Sequence, residues 1–287
     1  MAENTPLILG LPIPSAGAVP HARKTIAEAA ARGVEAILLT HSDASLLDPG
    51  VVAGLLSADD VDVLLFIEAH TGRHAPFNLA RRVQSLARIS GGRAGVYLRD
   101  TGADPVTLAS RPDAVSASAV LDEYVSVLRR LWSSFPESAL VGDRVEGLFA
   151  DVDQITPARH RGDVYGVEGA LNVPIATEQR PIVLADAESL HRSSSVDAVI
   201  ARADVVAPGT PVYRPLTWRP AISGFSADGA PPAKGGVLLR IDAPPSEIAA
   251  HLGAAVDALE ARTGRRVGTP WTGSPLRLLR TTPVPAV

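Results

Sequence analysis

The sequence predicts an α/β protein in which parallel strands form a sheet and helices pack outside it. Short apolar runs of strand length alternate with longer stretches whose apolar residues recur at helical spacing. The connections between successive runs are long enough for right-handed crossovers. The runs are also apolar without alternation, as expected of strands covered on both faces. A closed barrel is one of the two common forms of such a sheet, and composition does not choose between barrel and open sheet.

Taken in order, Leu7 to Ile13 is a first apolar run, closed by Pro14, Ser15 and Gly17. Pro20 suits a first helical turn, and Ala22, Ile26, Ala29 and Ala30 give the next stretch an apolar face that ends at Gly33. Val34 to Leu39 is the second strand, Val51 to Leu56 a short helix, and Val61 to Ile67 the third strand. In the helix from Phe77 onward, Leu79, Val83 and Leu86 share one face, and Arg81, Arg82, Gln84 and Arg88 lie on the other. Gly91 and Gly92 can take the left-handed conformation that stops a helix, so Arg93 to Leu98 becomes the fourth strand. Residues 101–118 carry turn formers and read as a loop over the strand ends.

Val120 to Trp132 is a strong helix with Leu121, Tyr124, Leu128 and Leu131 on one face. Residues 133–180 show little regular pattern and are taken as a long excursion of the sort that has a job or a partner. Pro181 to Ala185 is the fifth strand. Asp197 to Arg202 is read as helical and Asp204 to Ala207 as the sixth strand. Val212 to Trp218 is a weak candidate for a strand, because prolines interrupt it. Val237 to Ile241 is a strand, and Ser246 to Arg262 is a helix facing inward with Ile248, Leu252, Ala255, Val256 and Leu259. The whole of 1–287 is read as one domain, with a C-terminal arm at 264–287 wrapping the outside.

A hydrophobic content of 46% argues against disorder, and no apolar run is long enough to span a bilayer. The chain has no cysteine, so disulfide frameworks and thiolate chemistry are out. Its first residues lack the basic start and apolar core of a secretion signal, and a cytoplasmic location is the expectation. A net charge of -4 with no basic block excludes nucleic acid as an expected partner.

The stretch NLARRVQSLARISGGRAG (Asn78 to Gly95) resembles the bacterial-luciferase-like flavin monooxygenases, in the branch of the nitrilotriacetate and dibenzothiophene-sulfone monooxygenases. EYVSVLRRLWSSF (Glu123 to Phe135), RPIVLA (Arg180 to Ala185) and ALEARTGRRVGTPWTGSPLR (Ala258 to Arg277) are similar to that branch. So is the Asp143 to Pro174 block, with its DR, GLFAD, HRG and LNVP. The resemblance implies a TIM-type (β/α)8 barrel. It has a shorter insertion after strand four than the family and less chain before the last strand. Closure near strand seven is therefore either poor or made by Val212 to Trp218. It implies a protein that is usually dimeric or larger, that takes reduced FMN from a flavin reductase, and that uses it with oxygen to oxygenate a small molecule.

Ligands of such barrels sit at the strand C-termini, and the resemblance implies FMN contacts at Thr71, Tyr97, Thr101 and Ser189. Most of the family's contacts are replaced: His41 stands for Asp, Tyr97 for Asn, Asp100 and Thr101 for a Thr-Ser pair, and Ala114 and Ser118 for His and Tyr. Asp186 and Glu188 put carboxylates where the family has Gly and Ser. A phosphate site needs N–H donors, small residues and no negative charge, and like charges at about 4 Å repel by roughly 4 kcal/mol at an effective dielectric near 20. Arg99 or Arg192 could offset this. The chain is accordingly either a family monooxygenase with an eroded flavin site, or a non-catalytic relative serving as a ligand-binding or partner subunit of an active paralogue.

His41, Glu68, Arg99, Asp100, Asp186 and Glu188 all end strands and are expected to share one mouth. There they either bind a polar small-molecule ligand, with acid/base capability, or neutralise one another. His70 and His74 have i, i+4 spacing, but a glycine intervenes and no third ligand is in register, so no metal site is expected. The HRG at 160–162 reads as structural.

Overall fold

The computed structural model describes residues 4–41, 47–59, 61–100, 115–176, 179–190, 196–202, 210–226 and 235–268. Eight parallel strands close into a barrel in chain order. They are β1 (Leu7–Pro12), β2 (Ala36–Thr40), β3 (Leu64–His70), β4 (Ala94–Arg99), β5 (Ile182–Asp186), β6 (Ala198–Ile200), β7 (Val212–Arg219) and β8 (Gly236–Ile241). β8 returns to pair with β1, and β6 pairs with β7, so no edge remains. The helices α1 (Val19–Ala31), α2 (Pro49–Leu56), α3 (Pro76–Ile89), α4 (Ala117–Ser133) and α5 (Pro245–Thr263) lie outside. Four of them carry proline in the first turn (Pro20, Pro49, Pro76 and Pro245), where the missing N–H has no intrahelical partner to lose. Gly91 (φ 63°) and Gly92 (φ 86°) stop α3 as their composition predicts.

Strand seven closes the barrel rather than leaving it open. Val212–Arg219 pairs along most of its length with β8 and at Val212 and Tyr213 with β6. Pro215 is tolerated for a geometrical reason. The carbonyls of residues 211 and 213 accept from β6, and Pro215, of the same parity, faces that side only after β6 has ended. The helical reading of Asp197 to Arg202 is corrected: Ala198–Ile200 is the sixth strand. Three β-compatible residues are too few to express a helical period. The strand expected at Asp204 to Ala207 falls outside the described residues, as do 101–114 and the part of the C-terminal arm beyond 268.

Inside the ring, Phe66, Tyr97, Leu184, Ile200, Tyr213 and Leu238 belong to a buried cluster. Gly95 makes room for it, because a Cβ there would collide with the Phe66 ring. At the N-terminal end, the Tyr213 hydroxyl donates to Glu35 Oε2 at 3.0 Å. A larger cluster fills the space between strands and helices, anchored by Trp132 and Tyr124 of α4.

The excursion between α4 and β5 is more regular than its sequence suggests. It holds one antiparallel hairpin (Leu140–Asp143 with Leu148–Ala150) and a second, smaller one (His160–Arg161 with Gly166–Val167). Glu123 on α4 fastens the second. Its Oε1 lies 3.0 Å from His160 Nε2 and accepts from the Tyr165 N–H at 2.8 Å, and Oε2 accepts from Val164 at 3.0 Å. Gly162 is required there, since a Cβ would run into the Glu123 carboxylate. The HRG sequence is thus a structural clamp.

Candidate functional site

Side-chain alternation builds the mouth of the barrel. Glu68, Arg99, Asp186 and Arg240 each stand two residues beyond an interior side chain (Phe66, Tyr97, Leu184 and Leu238) and therefore point to the same inner face. Glu68, only 6% exposed, accepts from Arg99 Nη1 at 3.1 Å and from the His41 backbone N–H at 2.9 Å. His70 Nε2 lies 3.8 Å from Glu68 Oε1, the oxygen that Arg99 bonds, and the His41 and His70 rings are 5.8 Å apart. Arg99 Nε reaches Asp186 Oδ2 at 3.6 Å, and the Tyr97 hydroxyl donates to Asp186 Oδ1 at 2.5 Å.

The electrostatics follow from this chain of contacts. Burial, then the Asp186 charge and hydrogen bond, push the Tyr97 phenol far above its ordinary value, so it remains a donor. Burial opposes the charge on Arg99, but Tyr97, Glu68 and Asp186 more than reverse this and hold the guanidinium protonated. Arg240 packs against Gly10, and its charge also acts on Tyr97. Two carboxylates and two guanidiniums therefore sum to zero within the mouth.

Of the residues expected to converge, the structure brings His41, Glu68, Arg99 and Asp186 into one network. Asp100 stands aside, its Oδ1 accepting from Thr71 Oγ1 at 2.7 Å. Glu188 is exposed and does not join the network; its Oε1 accepts from the Arg202 backbone N–H at 3.0 Å, at the end of β6. Ser189 lies in the short 3-10 turn after β5, Tyr97 is buried inside the barrel, and Ser118 is in the first turn of α4. Thr101, Ala114 and Arg192 lie outside the described residues. Sequence reading missed Arg240, although a single charge in the apolar run GVLLRI, on the parity of Leu238, was signal enough. Among the described residues no group of three His, Cys, Asp or Glu side chains is placed to hold a metal ion. The His74 imidazole is lowered by burial and then by Arg82, and its carbonyl accepts from the Tyr124 hydroxyl.

The described mouth residues do not fit an FMN phosphate held at the end of strand five. Arg99 is already engaged by two carboxylates, and Asp186 presents acid where a phosphate needs donors.

A sequence profile of the luciferase-like monooxygenase family matches residues 10–273. The chain is 28% identical over 142 residues to the dibenzothiophene-sulfone monooxygenase of Rhodococcus erythropolis, a match covering 48% of this chain and 31% of that one. It therefore spans about a third of that relative's length. It is 26% identical over 202 residues to a subunit of the pristinamycin IIA synthase of Streptomyces pristinaespiralis, covering 64% of this chain and 69% of that one. The structure of a long-chain alkane monooxygenase superimposes with a TM-score of 0.64 over 97% of this chain and 89% of the other, at 10% identity, which speaks for the fold. Among the described residues no helix is long and apolar enough to cross a membrane. With a closed eight-stranded parallel barrel and a profile match over most of its length, this chain belongs to the luciferase-like monooxygenase family.

Proposed function

We propose that this chain is a two-component, flavin-dependent monooxygenase by descent whose flavin site has eroded, so that FMN binds weakly or not at all. The observation that carries the reading is the Glu68–Arg99–Asp186–Tyr97 network. It occupies the strand ends where reduced FMN, a flavin reductase's product, and a small organic substrate would meet. Bound there, reduced FMN would supply the oxygen chemistry; the protein's part would be to orient it and exclude water. Of the other expected contacts, Thr71 is committed to Asp100, while Thr101 and Ser189 remain candidates for what contact survives. The proposal includes a homodimer and a cytoplasmic location, the latter consistent with a composition free of cysteine.

A second reading has its own support. A non-catalytic chain that binds a small polar ligand, or serves an active paralogue as partner subunit, accords with the similarity to a relative that is itself named as one subunit of a synthase. It also accords with a mouth whose charges neutralise one another.

The test is titration of the purified chain with oxidised and reduced FMN, read by flavin fluorescence and thermal shift. Ligand at a hundred times its dissociation constant adds about 2.7 kcal/mol. The expected result is no shift at millimolar FMN, with flavin affinity appearing when Asp186→Gly and Tyr97→Asn are combined. A clear shift in the wild type, with flavin-dependent oxygen uptake when a reductase is supplied, overturns the eroded site. Co-purification with a longer paralogue would favour the second reading.

A further inference from the structure

The mouth of the barrel is neutral as a whole, but its charge is divided unevenly between two walls. On the wall formed by β3, β4 and β5, Arg99 shares one positive charge between Glu68 at 3.1 Å and Asp186 at 3.6 Å. One guanidinium against two carboxylates leaves that wall a negative charge in excess. Glu68 is buried, whereas the Asp186 side chain is 26% exposed and can still be reached from the opening.

The balancing positive charge stands on β8, directly across the ring from β4. It is Arg240, half-buried, which makes neither a hydrogen bond nor an ion pair among the described residues. Its charge nevertheless acts on Tyr97, whose hydroxyl donates to Asp186, so the two walls lie within electrostatic reach of each other. Around Arg240 the inner face is small and polar. Thr217 is its register partner on β7, and Thr40 ends β2 opposite Pro12 of β1. Thr217 has the parity of Tyr213 and Thr40 that of Leu38, so both hydroxyls face inward. Neither hydroxyl bonds another group among the described residues. A Cβ at Gly10 would come within 3.3 Å of Arg240 Cγ, so glycine leaves the arginine stem its place.

A guanidinium withdrawn from water and left without a counter-ion is unfavourable, and its planar fork matches a carboxylate through two parallel hydrogen bonds. A phosphate dianion would leave the mouth two negative charges in excess beside Glu68 and Asp186. A molecule with one charge of each sign leaves it neutral and meets an opposite charge at either end. We infer that the mouth binds a small zwitterion of the amino-acid class, its carboxylate forked onto Arg240 beside Thr217 and its ammonium facing Asp186. This rests on the reading of a mouth that no longer serves flavin, and it gives the small polar ligand proposed above its chemical class.

The test is thermal shift and calorimetry of the full chain with the common L-amino acids, each supplied singly at millimolar concentration. At least one is expected to bind. Its N-acetyl derivative keeps the carboxylate without the ammonium, and its amide keeps the ammonium without the carboxylate. Each should bind about tenfold to a hundredfold more weakly, the range for a lost hydrogen bond to a charged group. Arg240→Gln should weaken the amino acid by a similar factor and leave the amide unchanged, whereas Asp186→Asn should weaken the amino acid and spare the N-acetyl derivative. Both variants are checked for an unchanged circular dichroism melt. Gly10→Ala, which displaces the Arg240 stem from a neighbouring strand, should also weaken the amino acid. If no amino acid binds and FMN is silent too, the inference falls and the eroded site stands. A derivative bound as tightly as its parent, or inorganic phosphate bound as tightly as the amino acid and lost with Arg240→Gln, also overturns the zwitterion alone. FMN binding that Arg240→Gln abolishes overturns both readings.

Discussion

Asp197, at the entrance to β6, is 8% exposed, yet it is charged because its surroundings are built for it. Arg180 Nη2 lies at 2.9 Å and Arg129 Nη2 at 3.3 Å, and the Val183 N–H donates to it at 2.8 Å. Burial alone would raise its pKa; the charges of Arg180 and Arg129 reverse this and leave it below the ordinary carboxylate value. A carboxyl depressed in the folded state contributes its stability in full above the unfolded value, about 3.9, and loses it as pH falls through the folded one. Asp197→Asn leaves two arginines facing a neutral group, and is expected to lower stability at neutral pH by about 3 kcal/mol. In urea unfolding across a pH series, the gap from wild type should narrow as pH falls below the unfolded value. A gap independent of pH would mean the charge is not what matters. Legibility at this scale depends on parity. Glu68, Arg99 and Asp186 share the mouth because each ends a strand with its side chain on the inner face, whereas Glu188 and Asp100, assigned there by the same rule, lie one or two residues further on and bond elsewhere, to the Arg202 N–H and to Thr71.

Elements were legible where apolar runs are long. The first five strands and the five helices follow from period and stop signals, with boundaries moved by a few residues; α4 begins at Ala117 rather than Val120. β6 was not, because Ala198–Ile200 is shorter than one helical turn and too short to show an alternation of its own. The hairpins of the excursion were not either, because their strands run from two to four residues, and the second is held by a side chain distant in sequence. Glu123 is the clearest case, reaching from α4 to the 160–165 turn. The His160 hydrogen bond and the Tyr165 and Val164 N–H groups outweigh burial and hold its carboxyl below the ordinary value. Glu123→Ala strands those donors and should cost about 1–3 kcal/mol. Limited trypsin digestion, followed by mass spectrometry, should then cut after Arg161 faster than in wild type while the barrel survives. Equal rates would show that the turn stands without its clamp.

At the scale of the whole molecule, closure could not be read from composition, since an open sheet uses the same strands; it comes from β8 meeting β1 and β7 meeting β6. The ring is not equally strong all round. Between β3 and β4 six residue pairs are in register, from Leu65↔Ala94 to His70↔Arg99, but among the described residues β6 meets β7 only at Val199↔Val212 and Ile200↔Tyr213. Pro215 withholds the next amide on that side. A loop of strands with one thin joint breathes at the joint, because local opening needs the fewest bonds broken there. The amides of Val199 and Ala201, which donate to Pro211 and Tyr213, should take up deuterium before those of β3 and β4. Uniform protection around the circumference would contradict this. The barrel has no free edge at rest, but it has a latch, and a neighbouring chain seeking a strand to pair with would find one there in the moments when the latch is undone.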